Sequence, residues 1–421
     1  MKRHANILVA VLVLAGAAAV GVLTGPTGLS DERQANPDPL PETVLEGTTP
    51  AQWRLVWTTD PAHEATVGWT TAEAAKTNAV FFDTEPRQGA LDKYRHQQAA
   101  TATGRYSARK PALHYASVEL KKLRPGTTYW FVMVSDESVS REFHFITAPE
   151  GDAEFKFLYG GDSRSYREPR REMNRRLRAL FTQDPEILAL VHGGDYVEDG
   201  DKLEQWVEWL TDHELTVTAQ GRMLPIVPAR GNHEADSVIF DEVFHNPGGK
   251  GLNYYATRLG SEFLLVNLNT EISAGGDQAA FLETTLKNHT TVRWQCANYH
   301  RPAYPAVKKP GSALKYWVPV FERYDLDVAL ESDGHTYKRT CAIRGGKPDA
   351  TGVTYIGEGG LGVRQRTPDP ERWYFEGGKV GSSNHVQKVT VRKDKLLVET
   401  IAENGKQLDT WEAKPRPTRR D

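Results

Sequence analysis

Between residues 52 and 147, apolar and polar positions alternate over short runs, the period of strands with one buried face. Arg54-Leu55-Val56-Trp57 leads to the turn pair Asp60-Pro61, and Ala65 to Trp69 alternates after it. His114 to Leu120, Tyr129 to Val134 and Arg141 to Ile146 follow, with Leu123-Arg124-Pro125-Gly126 as a turn between the first two. Short alternating strands with turns at this spacing predict an all-β sandwich of about 100 residues. Ala148-Pro149-Glu150-Gly151 has the composition of a linker.

From Phe155 the pattern changes to strand, loop, helix. Five apolar runs predict buried strands: Phe155 to Tyr159, Ile187 to Val191, Pro225 to Val227, Trp294 to Asn298 and Val328 to Leu330. Helical stretches run from Arg167 to Phe181, Lys202 to Leu215, Gln278 to Leu286 and Ala313 to Tyr324. Strands alternating with helices of this length predict βαβ units. In the first helix Met173, Leu177, Leu180 and Phe181 form an apolar stripe. Its arginines, at 167, 170, 171, 175, 176 and 178, read with Glu168 and Glu172 as a solvated, partly neutralised face. Past Asp349 strands return, at Gly352 to Ile356 and in a hairpin of Val386 to Val391 with Leu396 to Ile401. The organisation is therefore a sandwich domain over 49–148, an α/β domain over 152–405 and a polar C-terminal tail over 406–421.

At the N-terminus, Lys2, Arg3 and His4 precede an uncharged apolar run from Ile7 to Leu23 and then Thr24-Gly25-Pro26. Residues 1–29 thus have the layout of a secretory signal, and the length of the run also suits an uncleaved membrane anchor. Either predicts an exported chain, the second with a membrane tether. Residues 30–48, centred on Asn36-Pro37-Asp38-Pro39, read as a flexible linker. The 421 residues suffice for two domains. A net charge of −3 gives no electrostatic footprint for specific nucleic-acid binding. Two cysteines, Cys296 and Cys341, exclude a disulfide-rich scaffold and a Cys-based zinc cluster, and leave open one bridge or two buried thiols.

Each of the five strands ends in metal-ligand chemistry. Gly161-Asp162-Ser163-Arg164 follows the first, Gly194-Asp195-Tyr196 the second and Gly231-Asn232-His233-Glu234 the third. Tyr299-His300-Arg301-Pro302 and Asp333-Gly334-His335 follow the fourth and fifth. Loops past the carboxyl ends of strands are where open α/β sheets gather ligand groups. Gly-Asp alone is ordinary turn chemistry, but a turn has no need of an Asn-His pair. Carboxylate, amide and imidazole groups without thiolates suit two cations about 3.5–4 Å apart, which together hold a hydroxide and polarise a phosphate. Arg164 and Arg301 have the guanidinium fork that matches phosphate.

These segments resemble the calcineurin-like metallophosphoesterase superfamily. A β-sandwich ahead of them, with its Leu-Arg-Pro-Gly-Thr-Thr-Tyr turn similar to fibronectin type III domains, resembles the purple acid phosphatase branch. The resemblance implies an α/β domain built as two β-sheets flanked by helices, with a dimetal site (iron, zinc or manganese) at the strand ends. By the same resemblance Asp195 would bridge the two ions. Asp162 and His335 would hold the first, Asn232 and His300 the second, and His233 would be the general acid. Arg164, Arg301, Asn232 and His233 would contact the substrate phosphate. The implied reaction is hydrolysis of phosphate monoesters, small or macromolecular, by a metal-held hydroxide, with phosphodiester or nucleotide cleavage on the same site as the alternative.

Three positions depart from the family pattern. The third residue after Asp195 is Glu198, where the purple enzymes carry an iron-binding tyrosine, and Tyr196 lies one residue on. Arg164 stands where the purple enzymes have glycine. Asp333 stands where Gly-His-x-His has its first histidine, and as a carboxylate it remains a ligand for the second metal. Tyr337-Lys338-Arg339 keeps part of the usual Tyr-x-Arg ending. Together the departures keep open a non-catalytic cell-surface binding protein with a degenerate metal centre. Among the other residues, His192 reads as orienting a neighbour and Arg339 as structural. His213, His245, His289 and His385 carry no spacing argument.

Overall fold

Every apolar run ahead of a ligand motif forms a strand: Phe155–Gly160, Ile187–His192, Ile226–Pro228, Trp294–Tyr299 and Val328–Glu331. The computed structural model describes residues 42–245, 247–249 and 251–417, so the signal or anchor expected over 1–29 and most of the linker expected over 30–48 lie outside the described residues. The first three strands lie side by side in parallel within a ten-stranded sheet. The last two are parallel neighbours in a seven-stranded sheet. The sheets face each other across one core, in which Phe157, Tyr159, Val191 and Val227 meet Phe263, Leu265, Trp294 and Val328. Helices cover the outer faces. Arg167–Gln183 lays Met173, Leu177 and Phe181 on Leu158 and Leu190. On the other side, Leu282, Leu286 and Phe321 cover Leu264, Val266 and Ala329. The α/β part is the two-sheet sandwich flanked by helices that the family resemblance implied.

The N-terminal part is a second sandwich, and it is not set apart from the first. Its sheet of Ala51–Val56, Ala65–Thr71, His114–Leu120 and Ala102–Arg105 is the far end of the same ten-stranded sheet. The join is parallel pairing of Ala51–Val56 with Ile226–Pro228, with Val56 opposite Ile226 and Trp57 N–H donating to Ile226 O at 2.8 Å. Trp53, Trp69, Phe131 and Phe145 fill the N-terminal core and belong to the same buried cluster as Phe157 and Trp294.

Glu214 fixes the start of this joining strand. Its Oε1 accepts from Gln52 N–H at 2.6 Å, and burial, the largest influence, pushes its carboxyl up to about 7. The folded chain therefore holds this proton more tightly than the unfolded chain does. Stability falls as pH rises from the ordinary value of 4.5 to about 7, and the loss is complete above that. Glu214→Gln is expected to match wild type near about pH 5 and to exceed it by up to about 3 kcal/mol near about pH 8. Urea midpoints at the two pH values check this, and an unchanged difference between the proteins at both would refute it.

Several elements differ from the sequence pattern. The helix expected over 313–324 is two, Ala313–Tyr316 and Val318–Arg323, with Pro319 in the first turn of the second. Proline lacks the N–H and crowds the carbonyl four residues earlier, so the helix restarts there. Residues 406–421, expected as a tail, instead supply the edge strand Gln407–Ala413; its solvent-facing positions hid the alternation. The arginine face of the first helix is less solvated than its composition suggests. Arg170 and Arg178 are buried, and Arg167, Arg170 and Arg171 all reach Asp212 at 2.6–3.0 Å. Cys296 and Cys341 are not joined by a disulfide. Arg339 pairs with Asp409 of the edge strand at 2.7 and 3.1 Å.

Candidate metal centre

The loops that end the five strands meet between the two sheets. Asp162, Asp195, Asp333 and His335 take φ of 56°, 60°, 70° and 58°. Non-glycine residues seldom enter this left-handed region, and such strain clusters where a site needs it. The loops also need glycine at close approaches. At Gly359 (φ +79°) a Cβ would lie 1.9 Å from Asp162 Oδ2, and at Gly231 it would lie 2.3 Å from Asp195 N and Oδ1. Glu234 organises the second and third loops together. Its carboxylate accepts from the backbone N–H groups of Asp195, Tyr196, Val197 and Gly231 at 2.8–3.3 Å.

Asp162, Asp195, His300 and Asp333, all buried, bring one ligand atom each within 4.8 Å of one another. Three histidines face this centre in the same way. Nδ1 of His300, His335 and His233 donates to the backbone carbonyls of Gly193 (2.8 Å), Arg364 (3.2 Å) and Glu198 (2.6 Å). That leaves each Nε2 turned inward: His300 3.1 Å from Asp195 Oδ1, His335 3.2 Å from Asp162 Oδ1, and His233 3.9 Å from Asp195 Oδ2. Anchoring one ring nitrogen on a carbonyl is how metal-binding histidines are oriented.

The electrostatics ask for a cation. Burial lowers the pKa of His300, but Asp195, Asp162 and Asp333 more than offset this and raise it well above the ordinary value. Asp195, despite burial, is held well below the usual carboxylate range by His300 and His233. Asp162 Oδ1 is buried without a hydrogen bond. The Asn232 amide faces the same centre, its inward atom 3.2 Å from His300 Nε2 and 3.1 Å from Asp333 Oδ1. The donor set of carboxylates, imidazoles and an amide fits zinc, manganese or iron.

The structure brings Asp162, Asp195, Asn232, His233, His300, Asp333 and His335 together. Arg164 joins them, with Nε 3.2 Å from Asp195 Oδ2 and further bonds to Glu198 and Ser165. Arg301 forms a two-pronged pair with Glu271 at 2.9 and 3.1 Å, and this pair together with the nearby Asp333 and Asp195 raises its pKa. Tyr196 turns away from the centre, stacked on His192 with ring centroids 3.9 Å apart and packed against Trp206, Trp209 and Phe244. Burial pushes its hydroxyl well above the ordinary value, in keeping with a ring packed into the core rather than turned to the ligands. His192, which burial keeps neutral with a pKa of about 3, bonds Ser163 Oγ at 3.0 Å and accepts from Gly194 N–H at 3.2 Å, orienting the loops on either side.

Sequence reasoning missed several contributors. Lys308 pairs with Asp333 from a loop that carries no motif. Arg364 and Arg366 follow the glycine-rich run Gly357–Gly362, whose composition was the available signal. With Arg164, Tyr166, Glu198 and His335 they line a cavity of about 1070 Å³ that meets the centre on its Arg164–His335 side.

Residues 50–147 match the family model of the purple acid phosphatase N-terminal domain, and residues 157–338 that of the calcineurin-like phosphoesterases. An uncharacterized protein of Mycobacterium tuberculosis is 23% identical over 411 residues, covering 84% of this chain and 72% of that protein. A probable inactive purple acid phosphatase of Arabidopsis thaliana is 23% identical over 360 residues, covering 70% of this chain and 54% of that protein. Among solved structures, a purple acid phosphatase from yellow lupin (Lupinus luteus) seeds shares the fold with a TM-score of 0.75 at 18% identity, over 87% of this chain and 74% of that one. PhoD does so with a TM-score of 0.61 at 10% identity, over 88% and 90%. The chain thus carries a purple acid phosphatase N-terminal domain over residues 50–147 and a calcineurin-like phosphoesterase domain over residues 157–338, in the fold of the purple acid phosphatases.

Proposed function

We propose that this protein is an exported, metal-dependent phosphoesterase acting on phosphate monoesters. The observation that carries this reading is the meeting of Asp162, Asp195, His300 and Asp333 within 4.8 Å, with histidine Nε2 atoms turned inward, beside a cavity lined by Arg164, Arg364 and Arg366. A divalent ion held by Asp195, Asn232, His300 and Asp333 would polarise a phosphoryl oxygen and lower the pKa of a water. The arginines bind the remaining phosphate oxygens and fix the ester in the cavity. His233, set by the Glu198 carbonyl and partly open to solvent, presents Nε2 to the leaving oxygen and supplies its proton.

A non-catalytic metal-binding role is the second reading. Arg164 and Lys308 both pair with ligand carboxylates, and the Arabidopsis relative is named inactive. Purified full-length chain, supplied in turn with zinc, manganese and iron, separates the two. Hydrolysis of p-nitrophenyl phosphate that EDTA abolishes and metal restores is expected, at a rate about tenfold or more above that of bis-p-nitrophenyl phosphate. No turnover with any of the metals would favour the binding role, and a preference for the diester would reassign the substrate class.

A further inference from the structure

We propose that this centre holds one metal ion and that the Arg164 guanidinium takes the place of the other. The inference rests on the metal-dependent reading above and departs from the two-ion pattern that the family resemblance implies. Arg164 lies on the groups expected around the first ion. Its Nε is 3.2 Å from Asp195 Oδ2, its Nη2 is 3.5 Å from His335 Nε2, and Nη1 bonds Glu198, which stands where the purple enzymes carry their tyrosine. Its side chain is only 12% exposed.

Asp195 shows the division most clearly. Oδ1 faces the donor quartet, 3.1 Å from both His300 Nε2 and His233 N, while Oδ2 faces the guanidinium. The carboxylate expected to bridge two ions therefore bridges one ion site and an arginine. A metal bonded to Asp195 Oδ2 and His335 Nε2 at about 2.0–2.2 Å would have to share those atoms with guanidinium nitrogens already within 3.5 Å.

The charges agree with this placement. Asp162, Asp195, Asp333 and Glu198 bring negative charge to the centre, and Arg164 supplies beside Asp195 and Glu198 the positive charge that a second cation would otherwise bring. Lys308 approaches Asp333 from the outside with a side chain 37% exposed, so it neutralises a ligand without filling the quartet. Arg164 stands between the quartet and the cavity, where its fixed charge and planar fork face an incoming phosphate.

Metal counting on the full-length chain decides the matter. After loading with zinc or manganese and desalting, elemental analysis is expected to find one ion per chain in wild type and two in Arg164→Ala. Arg164→Gln, which keeps the volume and loses the charge, serves as the second variant should Arg164→Ala fail to fold. Electron paramagnetic resonance of the manganese forms should show an isolated ion in wild type and a spin-coupled pair in the variant. Two ions in wild type would overturn the inference and leave the phosphoesterase reading intact. One ion in both wild type and the variants would overturn the role of Arg164. No ion in wild type would overturn the inference together with the metal-dependent function beneath it.

Discussion

Asp195→Asn is expected to lower hydrolysis of p-nitrophenyl phosphate about a thousandfold, the rate equivalent of losing several kcal/mol of charge stabilisation in the transition state. Both oxygens of Asp195 are committed, Oδ1 toward His300 and Oδ2 toward Arg164, so a neutral amide loses the charge toward both and can accept on one side only. The fold should persist. The backbone of this residue is held by Glu234, and the remaining amide oxygen can still accept from His233 N–H, as Oδ1 does at 3.1 Å. Turnover within tenfold of wild type, at wild-type metal content and melting temperature, would remove Asp195 from the reaction.

Lys338→Met is expected to destabilise the chain by about 3–5 kcal/mol. Lys338, Glu331 and Glu358 are each fully buried, with Nζ 2.5 Å from Glu331 Oε2 and 3.6 Å from Glu358 Oε2, and it donates to Tyr304 O at 2.6 Å. Glu331 also accepts from the Tyr299 hydroxyl and Ala303 N–H, and Glu358 from Ala306 N–H at 2.8 Å. Removing the ammonium leaves two carboxylates facing each other without compensation. Adding Glu331→Gln should recover part of the loss. Denaturant midpoints measure it, and a change below about 1 kcal/mol would show that the trio is not held by charge. The site should feel this change as well, since Glu358 packs against Gly334, between Asp333 and His335: a Cβ there would lie 2.2 Å from its carboxyl carbon.

Much of the site was legible because its ligands sit one to four residues past the strands that the apolar runs form, and such runs mark buried strands whatever their partners. His300 and Asn232 could be found that way. Lys308, Arg364 and Arg366 could not, because they come from loops whose course is set by packing against distant segments rather than by a local period. Pairing between strands far apart in sequence was hidden for the same reason. Alternation shows that Ala51–Val56 has a buried face, but not that its edge is taken by Ile226–Pro228. The role of Arg164 was half legible. Its residue type suggested phosphate, and only the folded chain shows it spending its donors on Asp195 and Glu198.

Ile226–Pro228 carries the Asn232–His233 loop at its far end and has Ala51–Val56 as its outer neighbour. The N-terminal sandwich is thus a retaining wall for the loop that presents the proposed acid. A fragment beginning beyond 150 would leave that strand as a bare edge, its unpaired backbone groups open to other chains. One strand pairing serves as both the seam of the sheet and the footing of the site, so a change that loosens the seam is felt at the Asn232–His233 loop as well.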